Sequence, residues 1–210
     1  MNNKEGILVV FSGFAGSGKG TIMKELIKRY PEKYALSISA TTRNPRPGEE
    51  DGREYFFKTK EEFENLISRG EMLEYANYVG NYYGTPKEYV FSKLGEGKDV
   101  ILEIETQGAL KVKQQFPDTL LMFVTPPDID TLFDRLTGRG TEDSETILKR
   151  MSQAGNEADV MHQYDYWVIN DSIEECVNQV HSIICNEHFR MNRNIQSING
   201  LKEQLVKYRK

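Results

Sequence analysis

The sequence predicts an α/β fold, a parallel sheet with helices on both faces and a mixed α+β lobe inserted into it. Three observations predict this. Short, continuous apolar runs, as strands buried on both faces require, alternate with stretches at helical spacing. Glycines cluster from Gly13 to Gly20, where the first apolar run gives way to the first helical stretch. Between residues 34 and 93 the alternation stops, and Gly, Pro, Tyr and charged residues dominate.

In chain order, Ile7 to Phe11 is the first strand and Lys19 to Tyr30 the first helix, with Ile22, Leu26 and Ile27 at helical spacing. Short strand-like pieces such as Glu54 to Phe57 mark the inserted lobe. Val100 to Ile104 and Leu120 to Val124 are buried strands, followed by helices over Gln107 to Gln115 and Asp128 to Thr137. Tyr166 to Ile169 is the last strand, whose apolar run places Trp167 in the core. Ile173 to Arg190 is a long closing helix. Strand–helix–strand alternation implies a parallel sheet covered on both faces.

Composition excludes whole classes. The chain has 210 residues, 38% hydrophobic and 28% charged, enough to bury a core. No apolar run approaches the ~20 residues of a membrane-spanning helix, and Met1 to Gly6 lacks the parts of a secretory signal. Cys176 and Cys185 lie nine apart in a helical stretch, which at ~100° per residue puts them on opposite faces, too far for a disulfide. A reduced, cytoplasmic protein without a membrane partner is expected. A net charge of −5 argues against a nucleic-acid partner. Arg190, Arg193, Lys202, Lys207, Arg209 and Lys210 against the single Glu203 give the end of the chain a basic, helical character. His162, His181 and His188 form no metal-like constellation.

The run Gly13-Phe14-Ala15-Gly16-Ser17-Gly18-Lys19-Gly20-Thr21 joins the first strand to the first helix. Glycines let the backbone turn tightly and aim successive N–H groups at phosphate oxygens. The positive end of the helix dipole adds to the same anion site, and Lys19 can reach the β- and γ-phosphates. Ser or Thr usually follows this Lys to hold magnesium. Here Gly20 stands there, with Thr21 one residue later, so the metal is expected to be held largely through water and nucleotide phosphates.

Several further motifs recur in one order: Ser37 to Glu49, Asp51 to Phe57, Glu71 to Ala76, Gly80 to Thr85, Leu102 to Gly108, Arg135 to Glu142, and Ile169 to Asp171. Together with the phosphate loop they resemble the guanylate kinase family of P-loop nucleoside-monophosphate kinases, over roughly residues 6–190. The resemblance implies a P-loop core (1–33, 94–136 and 158–190), a GMP-binding lobe (34–93), a helical lid (137–157) and a basic tail (191–210). It implies phosphoryl transfer from ATP to GMP or dGMP, with Mg2+. The oligomeric state stays open.

Residue chemistry agrees with that resemblance. The loop residues Gly13 to Thr21 would bind ATP, with Asn170, and Asp171 beside it, near the adenine. Arg43 and Arg46 can fork onto the GMP phosphate, as Lys cannot, and Tyr55 and Tyr83 can donate to it. Guanine presents two adjacent donors, which the carboxylate of Glu74 would accept together. Ser39 and Thr85 can reach the rest of the base edge. Glu103 and Glu105, two apart at the end of a strand, share one face. The family usually has Asp at both places; by resemblance Glu105 faces guanosine, while Glu103 and Thr21 serve the metal. Lys19, Arg43, Arg135, Arg139 and Arg150 would neutralise the moving phosphoryl group. Phe14 and Ala15 replace the family's common Pro and Ser. A related P-loop kinase with another acceptor, or a non-enzymatic interaction module, are the alternatives.

Overall fold

The structure, a computed structural model, describes residues 5–78, 80–138 and 143–209. In chain order its strands are β1 (Leu8–Gly13), β2 (Tyr34–Leu36), β3 (Ala40–Thr41), β4 (Phe56–Phe57), β5 (Met72–Tyr78), β6 (Asn81–Pro86), β7 (Asp99–Glu103), β8 (Leu120–Thr125) and β9 (Tyr166–Ile169). The α-helices are α1 (Lys19–Arg29), α2 (Lys60–Ser68), α3 (Lys87–Gly95), α4 (Thr106–Gln115), α5 (Ile129–Thr137), α6 (Ser144–Ala158), α7 (Ile173–Glu187) and α8 (Ile195–Leu205).

One sheet runs in the order β2-β7-β1-β8-β9, every pair parallel. The pleat sends alternate residues of central β1 to opposite faces. Val9 and Phe11 pack with Ile22 and Leu26 of α1 and Val177, Val180 and Ile184 of α7. Leu8 and Val10 pack with Val90 and Leu94 of α3 and Ala109 and Val112 of α4. These side chains are almost wholly removed from water, each worth about 1.5–3 kcal/mol. Continuous apolar strands follow from having helices on both sides.

A second sheet, β4-β3-β6-β5, forms the lobe. Its small core is Ala40, Phe63 and Met72, with Phe63 of α2 stacked on Tyr82 at 5.2 Å. Helix α2 starts where a Thr59–Glu62 capping box satisfies its first N–H groups.

The lobe is narrower than the expected 34–93. Tyr34 to Leu36 is a strand of the core sheet, paired with Asp99 to Ile101, and α3 packs its Val90 and Leu94 on that sheet. A three-residue strand is too short to display a period. Trp167 also departs from expectation: it is 59% exposed. Strand β9 is the sheet edge, and of its residues only Val168 is buried. The Trp167 indole N–H donates to Thr125 Oγ1 at 2.9 Å. Both cysteines are free, and no helix among the described residues is long and apolar enough to cross a membrane.

Past α7, buried Glu187 pairs with Arg190 at 3.0 Å and Arg193 at 3.1 Å. These contacts anchor the start of the tail, which continues as the largely exposed α8.

Candidate active site

The glycine-rich run lies at the carboxyl end of β1, where ligands collect in open α/β sheets. Gly18 caps α1 with φ 90° and ψ 15°, a left-handed conformation that side chains resist. A Cβ there would also strike Asn170 Nδ2, which donates to Ser17 O at 2.7 Å. Gly18→Ala is therefore expected to lower stability by about 1–2 kcal/mol from the backbone alone. At roughly 2–4 °C per kcal/mol for a chain of this size, thermal unfolding should show a midpoint several degrees lower.

Phe14 is a packing residue as well as a loop residue. Its buried ring meets Phe123 edge-on at 5.2 Å and joins Leu132 and Leu136 of α5 and Ile147 and Ala154 of α6. Only its backbone serves the loop. Lys19 Nζ donates to Gly13 O at 2.7 Å and to Phe14 O at 3.1 Å. Gly16 (φ 91°) and half-buried Ala15 complete the turn. Gly20 and solvent-exposed Thr21 lie in the first turn of α1.

Opposite the loop, the lobe supplies a second set of polar groups. Glu74 of β5 pairs in register with Thr85 of β6, and Thr85 Oγ1 donates to Glu74 Oε1 at 2.8 Å. A Cβ on Gly108 of α4 would sit 3.5 Å from Glu74 Oε2, ordinary contact distance, so α4 packs beside the carboxylate. Burial pushes the Glu74 carboxyl above the usual range, against the bonds from Thr85. Half-buried Ser39 stands just before β3. Arg43 forks onto Glu49 at 2.9 and 3.0 Å, over the Tyr55 ring at 5.4 Å. Tyr55 meets Tyr83 edge-on at 6.1 Å. The Arg43 guanidinium and the Arg46 backbone N–H hold the Glu49 carboxyl below its usual range. The Arg46 residue itself is exposed.

Between the two halves a cavity of about 340 Å3 brings together Lys19, Tyr55, Glu103, Glu105 and Glu157. Glu103 ends β7, but Glu105 lies beyond the strand, as the residue that caps α4. The two acids therefore do not share a strand face as expected, although both reach the cavity. Glu103 keeps solvent access, while the protein packed around it pushes its carboxyl up and Lys19 draws it down. A larger cavity of about 560 Å3 lies under α8, next to the start of β1 and so at the other end of the strands.

Arg135 is tied to the core. Its Nη2 donates to Asn170 O at 2.9 Å, and Asn170 is in turn bonded to Ser17 of the glycine-rich run, so α5 is coupled to that turn. Asp171 beside it is exposed. Arg150 is half-buried on α6, and Arg139 lies outside the described residues. Two residues escaped the sequence reading. Glu49 is the partner of Arg43, and its only signal was its place at the end of the Arg-rich motif. Glu157 is two helical turns after Arg150, a spacing that puts both on one face of α6.

A model of the guanylate kinase family matches residues 5–187. The chain belongs to the guanylate kinase family. It is 50% identical over 208 residues to a guanylate kinase of Streptococcus pyogenes serotype M3, covering 99% of this chain and 97% of the relative. A serotype M18 relative matches to the same extent. Among solved structures, the guanylate kinase of Anaplasma phagocytophilum superposes with a TM-score of 0.73 at 29% identity, over 97% of this chain and 95% of that one. The family model includes both halves of the cleft, the glycine-rich loop and the Glu74–Thr85 pair and stops before α8, whereas the match to the streptococcal relatives covers nearly the whole chain.

Proposed function

We infer that the phosphate loop holds ATP, that the lobe holds GMP, and that the cavity between them is where the phosphoryl group moves. The chain is an ATP:GMP phosphotransferase. The observation that carries the acceptor assignment is the half-buried Glu74 carboxylate, held by Thr85 and flanked by Gly108. Guanine offers it two donors. Adenine offers no such pair and would leave that acceptor unmet, which costs more than a missing apolar contact. Ser39 supports the base, and Glu105 faces the nucleoside.

The GMP phosphate takes Arg43, Arg46, Tyr55 and Tyr83. Arg43 is already aligned by Glu49 and the Tyr55 ring, so a phosphate that displaces Glu49 finds an oriented fork. The attacking GMP phosphate oxygen is already an anion, so no general base is needed. Lys19 neutralises charge on the γ-phosphoryl group, Arg135, Arg139 and Arg150 close over it, and segment 137–157 acts as the lid that excludes water. The hard carboxylate oxygens of Glu103 would suit a magnesium ion, with Thr21 near the phosphates, and that ion would supply charge neutralisation for them. Free cysteines agree with a cytoplasmic setting.

The test is ADP formation with GMP, dGMP, AMP, UMP and CMP offered in turn. GMP and dGMP should be used and the other three nearly ignored. Equal use of AMP would overturn the acceptor assignment.

A further inference from the structure

Glu157 is the acid that the transfer chemistry above does not explain. It stands in the last turn of α6 and is 8% exposed. One carboxyl oxygen accepts a long bond of 3.4 Å from Gln153 Nε2. The other, Oε2, is buried and has no partner among the described residues. A buried acceptor without a donor is costly, so this oxygen is placed for a donor that arrives with the substrates. Nucleotide phosphates bring no donors.

Charge narrows the choice. Among the described residues that line the cavity, the ammonium of Lys19 faces the carboxyls of Glu103, Glu105 and Glu157. Such a surface repels a polyphosphate unless a cation comes with it. Among the described residues no three His, Cys, Asp or Glu side chains converge closely enough to ligate an ion directly. Magnesium suits that spacing, because it sheds its waters reluctantly and can be held through them.

We propose that Glu157, together with Glu103, holds the hydrated magnesium ion that accompanies ATP, its unpartnered oxygen accepting a hydrogen bond from a metal-bound water. This rests on the reading of the site as an ATP-dependent kinase. It makes α6 a carrier of a metal contact as well as of Arg150, so that the lid helix senses the metal and the phosphate at once.

The experiment is calorimetric binding of ADP to the full chain, with and without Mn2+. Wild type should bind Mn·ADP more tightly than ADP. In Glu157→Gln that advantage should shrink by about tenfold or more, the scale of a lost bond to a charged partner. Metal-free ADP should bind as well or better, since one negative charge has gone. Glu157→Asp should recover part of the advantage. If Glu157→Gln fails to fold, Glu103→Gln is the second arm, and it should show the same loss. Equal weakening with and without metal would assign Glu157 a structural role and overturn the proposal. An unchanged metal advantage in a folded Glu157→Gln would do so too. GMP is absent from the ADP titrations, so an error in the acceptor assignment leaves this test intact and shows up in the acceptor panel instead.

Discussion

Lys19→Ala is expected to lower kcat by about two to three orders of magnitude, the scale of losing one preorganised electrostatic contact. The ammonium stands in the cavity with Glu103, held on the loop by the carbonyls of Gly13 and Phe14. Those carbonyls fix where its charge sits before any phosphate arrives, so no reorganisation is needed when charge develops on the phosphoryl group. Truncation removes the charge and leaves the loop's other ties in place. Asn170 still donates to Ser17 O, and Phe14 stays packed on Phe123. The thermal midpoint should therefore move little while turnover collapses. The affinity for ATP should fall less than kcat, because the other loop groups still bind the phosphates. Steady-state kinetics beside a melting curve will check this. Near-normal turnover in a folded variant would remove Lys19 from the mechanism.

The core sheet was legible because its strands carry a plain signal. Buried on both faces, β1, β7 and β8 read as unbroken apolar runs, and their boundaries came within two residues of the observed ones. What failed to read was short or at an edge. Strand β2 has three residues and was absorbed into the lobe. Strand β9 looks as apolar as the others, yet it has a neighbour on one side only, and Trp167 is left in solvent. Apolar content reports a strand, but the number of its neighbours is a property of the assembled sheet.

The site was legible where one motif holds a whole chemical unit, as in the phosphate loop, whose turn, lysine and helix start are contiguous. Departures from the usual pattern were legible too, but their meaning was not. Phe14 is explained only by α5 and α6, more than a hundred residues away, which enclose its ring. Glu49 and Glu157 are ordinary acids in the sequence. Their function lies in Arg43 for the one and in an absent donor for the other, and both facts are spatial.

Glu74→Gln should lower kcat/KM for GMP by about ten- to a hundredfold or more. The amide turns one acceptor oxygen into a donor that faces a guanine donor. Losing a bond to a charged group costs roughly 1.5–3 kcal/mol, and each ~1.4 kcal/mol is tenfold. The KM for ATP should barely move, since Lys19 and the loop are across the cleft. AMP use should hold or rise, so the preference for GMP shrinks. Stability separates this from unfolding. Burial raises the Glu74 carboxyl in the folded chain, so the neutral form is favoured there. Its contribution is fully present below the unfolded value and is lost as pH rises through the raised folded value. Above that raised value the ionised carboxylate is thus a burden on the fold, and the neutral amide should leave the melting midpoint unchanged or higher. Activity has the opposite sign, because only the ionised carboxylate accepts both guanine donors. Wild-type kcat/KM for GMP should fall as pH drops through a value above the ordinary carboxylate range, and Glu74→Gln should lack that limb. A variant that keeps the GMP preference, or keeps the acid limb, would show that guanine is read elsewhere.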